Sequence, residues 1–156
     1  MTQTSVALST DARAAIVDAL NQSVAETAVT TMLAQNFHWN VTGMAFGPLH
    51  DLFQKIYEDH FEAQDDLAER IKALDGHAEG TLAGMLKRSK IKEFSGTTTD
   101  REMIRLLQEA QETLSTTLAG AGQVAAELGD TLTEDLCIAR GQIHDKFAWF
   151  LRSHLR

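Results

Sequence analysis

The feature that most constrains this chain is its shortage of helix breakers. Its 156 residues include one proline, Pro48, and no glycine occurs before Gly43. A run that long without either residue has nothing in it to stop a helix once started. Thr10 is a suitable N-cap. Ile16, Leu20 and Val24 follow at i+4 spacing and lead on to Met32, Leu33 and Phe37. The pattern predicts a first helix over roughly 10–40, about 45 Å long at 1.5 Å per residue. The preceding nine residues, MTQTSVALS, are small and polar and read as a flexible tail (1–9) ahead of one domain (10–156).

The remaining breakers divide the rest of the chain. Gly47-Pro48 places proline in the first turn of a second helix, which carries Leu49, Leu52, Phe53, Ile56, Tyr57, His60, Phe61, Leu67 and Ile71 and ends before Gly76. Gly76, Gly80, Gly84 and Gly96 mark residues 76–98 as a long connection, with Leu82, Met85 and Leu86 forming one short amphipathic helix. A third helix starts near Thr99–Asp100, carries Met103, Ile104, Leu107, Leu114, Leu118 and Val124, tolerates Gly120 and Gly122, and stops at Gly129. A fourth starts at Asp130/Thr131 and runs through Leu132, Leu136, Ile143, Phe147, Phe150 and Leu151 to the C-terminus, with Trp149 and Phe150 expected in the core. Short, long and short connections between four helices imply an all-α, ferritin-like four-helix bundle with one long crossover carrying a short extra helix. No internal repeat or low-complexity segment is visible.

Composition narrows the function classes. Residues of the AVILMFWYC set make up 44% of the chain and charged residues 23%, which is a globular balance. No apolar run approaches the ~18 residues of a membrane span, and residues 1–12 lack a signal-peptide pattern. The single cysteine, Cys137, cannot form an internal disulfide, reads as a packed small residue and suits a reducing compartment. The expected location is therefore the cytoplasm, with nucleoid association as the alternative. Fourteen basic against 22 acidic side chains give a net charge of −8, a surface that repels phosphate unless its bases are gathered in one place.

Four residues carry candidate chemistry: His38, His50, Asp65 and Glu69. Imidazole with carboxylate is a ligand set for iron or zinc, whereas magnesium or calcium would call for oxygen alone. Asp65 and Glu69 lie at i,i+4 on one helix face. His50 and Asp65 are separated by about 22 Å along the same helix, while metal–ligand bonds are only about 2 Å long. They cannot share an ion within one chain. They nevertheless lie within about 60° of each other around the helix axis, so two antiparallel copies would bring His50 of one against Asp65 and Glu69 of the other. A two-fold interface of that kind makes two identical composite sites. No Glu in the chain is followed three residues later by His, so the signature of a di-iron site inside a single bundle is missing.

The segment NFHWNVTGMAFGPLH (36–50) with DHFEAQDDLAERIKALDG (59–76) resembles the Dps family of mini-ferritins, and DKFAWFLRSHL (145–155) resembles that family's last helix. The matching features are His-Trp-Asn with a following Gly, a second His twelve residues after the first, and Asp-x-x-x-Glu-Arg downstream. The resemblance implies a hollow homo-dodecamer with an iron-oxidising centre at each dimer interface. His38 and His50 would come from one subunit and Asp65 and Glu69 from its partner. It also implies ferroxidase activity, with two Fe(II) per site, hydrogen peroxide preferred over oxygen, and ferric mineral stored in the cavity against oxidative damage. Many family members have Asp one turn after the second His. Here that position is Gln54, a poorer iron ligand, and Asp51 lies about 100° from His50 around the helix. The second iron site is accordingly expected to be weak. Zinc is an alternative occupant, since such ligands rank zinc above ferrous iron in raw affinity.

Trp39 reads either as an interface anchor or as a local electron donor. Glu127, Asp130, Glu134 and Asp135 cluster where the third and fourth helices meet. In the family such residues line a cation-attracting pore, although acids at a helix N-terminus are equally expected from the helix dipole. DNA-coating members often use lysine-rich tails, but residues 1–14 here hold Arg13, offset by Asp11, and no Lys. DNA binding is expected to be weak or absent at physiological salt. Two other readings are a DNA-coating nucleoid protein and a structural helical oligomer, each with little iron chemistry.

Overall fold

The structure, a computed structural model, describes residues 8–156. Five helices follow one another, and no strand occurs among the described residues: α1 (Thr10–Asn40), α2 (Phe46–Ala73), α3 (Leu82–Arg88), α4 (Asp100–Glu127) and α5 (Thr131–Ser153). The four long helices form the expected bundle. α1 pairs with α2 and α4 with α5, α1 packs on α4 between the pairs, and residues 74–99 cross the bundle with α3 lying on α1.

The cap of α1 falls one residue earlier than expected. Ser9 Oγ, not Thr10, accepts the Ala12 N–H at 3.1 Å, and Leu8 is buried with Ile16, Leu20 and Leu74. The end of the expected tail is therefore anchored, while residues 1–7 lie outside the described residues. α2 starts at Phe46, so Pro48 sits in its first turn, where a missing N–H costs nothing. Thr99 caps α4 by accepting from Glu102 N–H, and Asp130 caps α5 by accepting from Thr133 N–H.

The core has two apolar halves. One gathers Phe37, Phe53, Ile56, Leu107 and Leu151, and the other Ile16, Leu20, Leu67, Ile71 and Leu118. Along their helices Glu26, His60 and His144 each fall between these halves, and all three are fully buried. The middle of α1 is enclosed on most sides, from Ser23 to Val29. Its buried hydroxyls are satisfied locally: Ser23, Thr27 and Thr30 donate to the carbonyls of Ala19, Ser23 and Glu26. Glu26 itself accepts from the Thr117 hydroxyl at 2.7 Å and from the Gln22 amide at 3.3 Å.

Several apolar residues expected in the stripes face outward instead. Trp149 is 55% exposed and Leu132 54%, and Met32 and Phe61 also lie on the surface. Phe150 is half-buried. α3 buries none of its residues, and its Leu82 and Leu86 are exposed.

Candidate metal centre

The short link between α1 and α2 brings together two residues separated by twelve positions. Val41 ends α1 with its N–H on Phe37 O, Gly43 takes φ +113°, and Phe46 N–H donates to Gly43 O at 3.1 Å. That φ lies in the left-handed region where glycine is favoured, and it turns the chain back at once. The last turn of α1 then lies against the first turn of α2. His38 and His50 stack there with ring centroids 3.7 Å apart and planes 17° from parallel.

Each histidine is held by the other's backbone. His38 Nδ1 lies 2.7 Å from His50 O, and His50 Nδ1 lies 2.8 Å from His38 O. A carbonyl oxygen only accepts, so both Nδ1 atoms carry the proton and donate it. In the neutral rings both Nε2 atoms are then lone-pair donors, the arrangement that orients metal-ligating histidines. His38 is buried and His50 half-buried. Phe46 stacks on His50 at 5.1 Å. Tyr57 meets the His38 ring edge-on at 5.2 Å.

Asp65 and Glu69 do not join this pair. Both are exposed on α2, Asp65 about 22 Å along the helix from His50. Among the described residues no three His, Cys, Asp or Glu side chains gather closely enough to hold one ion within a chain. Gln54 is half-buried and donates its amide to Glu58 Oε1 at 2.8 Å. Asp51 is exposed, and Trp39 is 62% exposed.

The acidic group near the α4–α5 junction is divided. Asp130 is buried, caps α5, and accepts from Arg70 Nη2 at 2.9 Å and from the Thr133 hydroxyl. Glu127 and Asp135 are exposed and Glu134 is half-buried. Cys137 is buried as expected. Its burial, with the charge of Asp130 adding to it, pushes the thiol up to about 11.

A second polar assembly in the bundle centre was not anticipated from the sequence. His60 donates Nδ1–H to Asp59 at 2.9 Å, and its Nε2 accepts from the Gln111 amide at 2.9 Å. Gln111 Oε1 accepts from His144 Nδ1–H at 2.7 Å. His144 Nε2 accepts from Arg140 at 3.2 Å, and Arg140 closes the ring on Asp59 at 2.7 Å. Only Arg140 Nε lacks a partner. Burial, countered in part by Asp59, holds the His60 pKa below its usual value. Burial, reinforced by the charge of Arg140, pushes His144 down to about 2. Burial alone would raise the Asp59 carboxyl, but the bonds from His60 and Arg140 outweigh it and hold it low. Both imidazoles are neutral with every nitrogen engaged, so this centre offers no free ligand to a metal. Its signal in the sequence was a polar residue at a core position of a helical stripe, His60 between Ile56 and Leu67.

Fold and site together define a ferritin-like protein, and comparison with known proteins agrees. The family model of the ferritin-like domain matches residues 17–156. The DNA protection during starvation protein of Brevibacillus brevis is 35% identical over 136 residues, covering 87% of this chain and 91% of that one. The crystal structure of a Dps protein from Bacillus brevis superposes with a TM-score of 0.92 at 32% identity, covering 96% of this chain and 100% of that one. The Dps protein of Vibrio cholerae O1, described as a member of a broad superfamily of ferritin-like diiron-carboxylate proteins, gives 0.91 at 30% identity over 96% and 94% of the two chains. The chain belongs to the Dps family of ferritin-like proteins. No described helix is long and apolar enough to cross a membrane.

Proposed function

We propose that this protein is an iron-storing, iron-detoxifying mini-ferritin that oxidises Fe(II) at sites shared between two subunits. The observation that carries this reading is the reciprocally locked His38–His50 pair, with both Nε2 lone pairs free. It supplies half of a ligand set whose carboxylates, Asp65 and Glu69, stand too far along the same helix to join it in one chain. An antiparallel copy completes the set, and the surface of α1–α3 supports such a copy. Phe61, 70% exposed, lies on α2 between His50 and Asp65. Met32, Trp39, Leu82 and Leu86 line an apolar groove of about 380 Å³ between α1 and the crossover. In this arrangement Trp39 is an interface anchor. Twelve copies closed around a cavity, as the family resemblance implies, would hold the ferric product.

Two Fe(II) ions each give up one electron, and hydrogen peroxide accepts both, with two protons from solvent, as its O–O bond breaks to yield two waters. Pairing the irons is what avoids releasing hydroxyl radical, and the protein contributes ligands and proximity. Glu127, Glu134 and Asp135 supply negative charge at one end of the bundle, where an entry pore would draw cations. The net charge of −8 argues for weak or absent DNA binding, which a gel shift at ~150 mM salt would check.

The deciding experiment is anaerobic Fe(II) loading of the purified protein followed by peroxide, with ferric absorbance and size exclusion read on one sample. The expected result is rapid oxidation at about two irons per peroxide, abolished in Asp65→Ala, from protein eluting as a large closed oligomer. Zinc added first should slow it by taking the same ligands. Oxidation no faster than free iron would overturn the reading.

A further inference from the structure

Asp65 and Glu69 are exposed on α2, so the rotation of that helix about its axis decides where both carboxylates lie. A group about 6 Å from a helix axis moves by about 1 Å when the helix turns through roughly 10°. A ligand displaced that far no longer meets a metal bond of about 2 Å. The apolar contacts of this stretch set the distance of α2 from the core better than its rotation. Leu67 and Ile71 are fully buried beside Ile16 and Leu118, but hydrophobic contact is non-directional.

Arg70 supplies the missing direction. It lies about 100° from Glu69 and about 140° from Asp65 around α2, and it bonds to the start of α5. Its Nε–H donates to the Thr133 hydroxyl at 2.8 Å, and its Nη2 donates to Asp130 Oδ1 at 2.9 Å. Both acceptors are buried, and Asp130 is bonded in turn to the Thr133 N–H and hydroxyl. A guanidinium is planar and presents its donors in a rigid fork, so two bonds to one buried cap hold an angle as well as a distance. Further along α2, Asp59 makes a second tie to α5 by accepting from Arg140 at 2.7 Å. Asp65 falls between the two ties, and Glu69 stands beside Arg70.

We propose that Arg70 is a positioning residue for the metal centre: by clamping α2 to the first turn of α5 it sets the direction in which Asp65 and Glu69 meet the second subunit. The inference rests on the reading above of these carboxylates as shared ligands. Arg70 touches no metal and changes no ligand. It acts through the helix that carries them.

The test titrates the assembled protein anaerobically with Fe(II) in a calorimeter and with Co(II) in a spectrophotometer, where the intensity of the visible Co(II) bands reports coordination geometry. Arg70→Gln, which loses the charge and the fork, should bind both ions about tenfold more weakly and give an altered Co(II) spectrum. Arg70→Lys keeps the cation with one donor point and should fall between, and it decides alone where Arg70→Gln does not assemble. Leu67→Val, which loses stability to a small cavity instead, should keep native affinity and spectrum. Native affinity and spectrum in the Arg70 variants, or a loss in Leu67→Val equal to theirs, overturns the positioning role and leaves the ferroxidase reading standing. Native protein that binds neither ion more tightly than Asp65→Ala overturns both.

Discussion

His38 and His50 fix each other through two backbone carbonyls, so their tautomers and ring planes are set before any metal arrives. That preorganisation spares the entropy of ordering two side chains on binding. Its weak point is Gln54. An amide oxygen carries no charge to offset a second Fe(II), so Gln54→Asp should raise Fe(II) bound per site from about one to about two in anaerobic titration calorimetry. Unchanged stoichiometry would show that position 54 does not reach the second iron. The candidate ligands His38, His50, Asp65 and Glu69 were named from a dense local pattern, and helix rise alone keeps Asp65 and Glu69 from joining the stacked histidines within one chain. The ring of Asp59, His60, Gln111, His144 and Arg140 was not legible. Its members come from α2, α4 and α5, and periodicity says only that each points inward, not which one it meets. Replacing Gln111 by Leu should cost about 1–3 kcal/mol in chemical denaturation, because it strands His60 Nε2 and His144 Nδ1–H without partners.

At the scale of elements, the breakers predicted the helices well because Pro48, Gly43, Gly76 and Gly129 sit at real chain reversals. What periodicity could not reveal was which apolar residues serve this chain and which are left on its surface. Phe61, Leu132 and Trp149 continue their stripes in sequence yet stay exposed. The start of α5 shows the same ambiguity for a polar residue. Asp130 sits in an acidic cluster that reads equally as pore lining or helix cap, and its cap role is the one with geometry on it: Thr133 N–H at 3.1 Å and Arg70 at 2.9 Å. Asp130→Ala should cost about 1–2 kcal/mol of stability from the lost cap. It also leaves Arg70, with its side chain only 16% exposed, without its anion. Asp130→Asn keeps the cap and removes the charge, so the difference between the two variants in denaturant midpoint isolates the cap. Equal losses would assign the whole effect to the ion pair.

At the scale of the whole molecule, the two buried histidines couple stability to pH. In the unfolded chain both take up protons below about pH 6.5. In the folded bundle burial holds His60 below that value and His144 near 2, so between these limits the unfolded state binds more protons. Stability contributed by the neutral ring is therefore complete above about pH 6.5 and declines as pH falls, by up to about 1.4 kcal/mol per pH unit for each histidine. Asp59 acts later. Its lowered carboxyl adds stability that is present above about pH 3.9 and is lost as pH falls through its folded value. From pH 6.5 to 5 His144 alone accounts for about 2 kcal/mol per subunit, enough to lower the melting temperature by roughly 5 °C in a domain of this size, and His60 adds in the same direction. In His144→Gln the new amide can donate to Gln111 and accept from Arg140 without titrating, so the pH dependence over that interval should weaken to the part that His60 contributes. Thermal melts of native and variant protein at matched pH and concentration measure this directly. If both lose stability in parallel between pH 6.5 and 5, the acid sensitivity lies at the protein's surface and not in its polar centre.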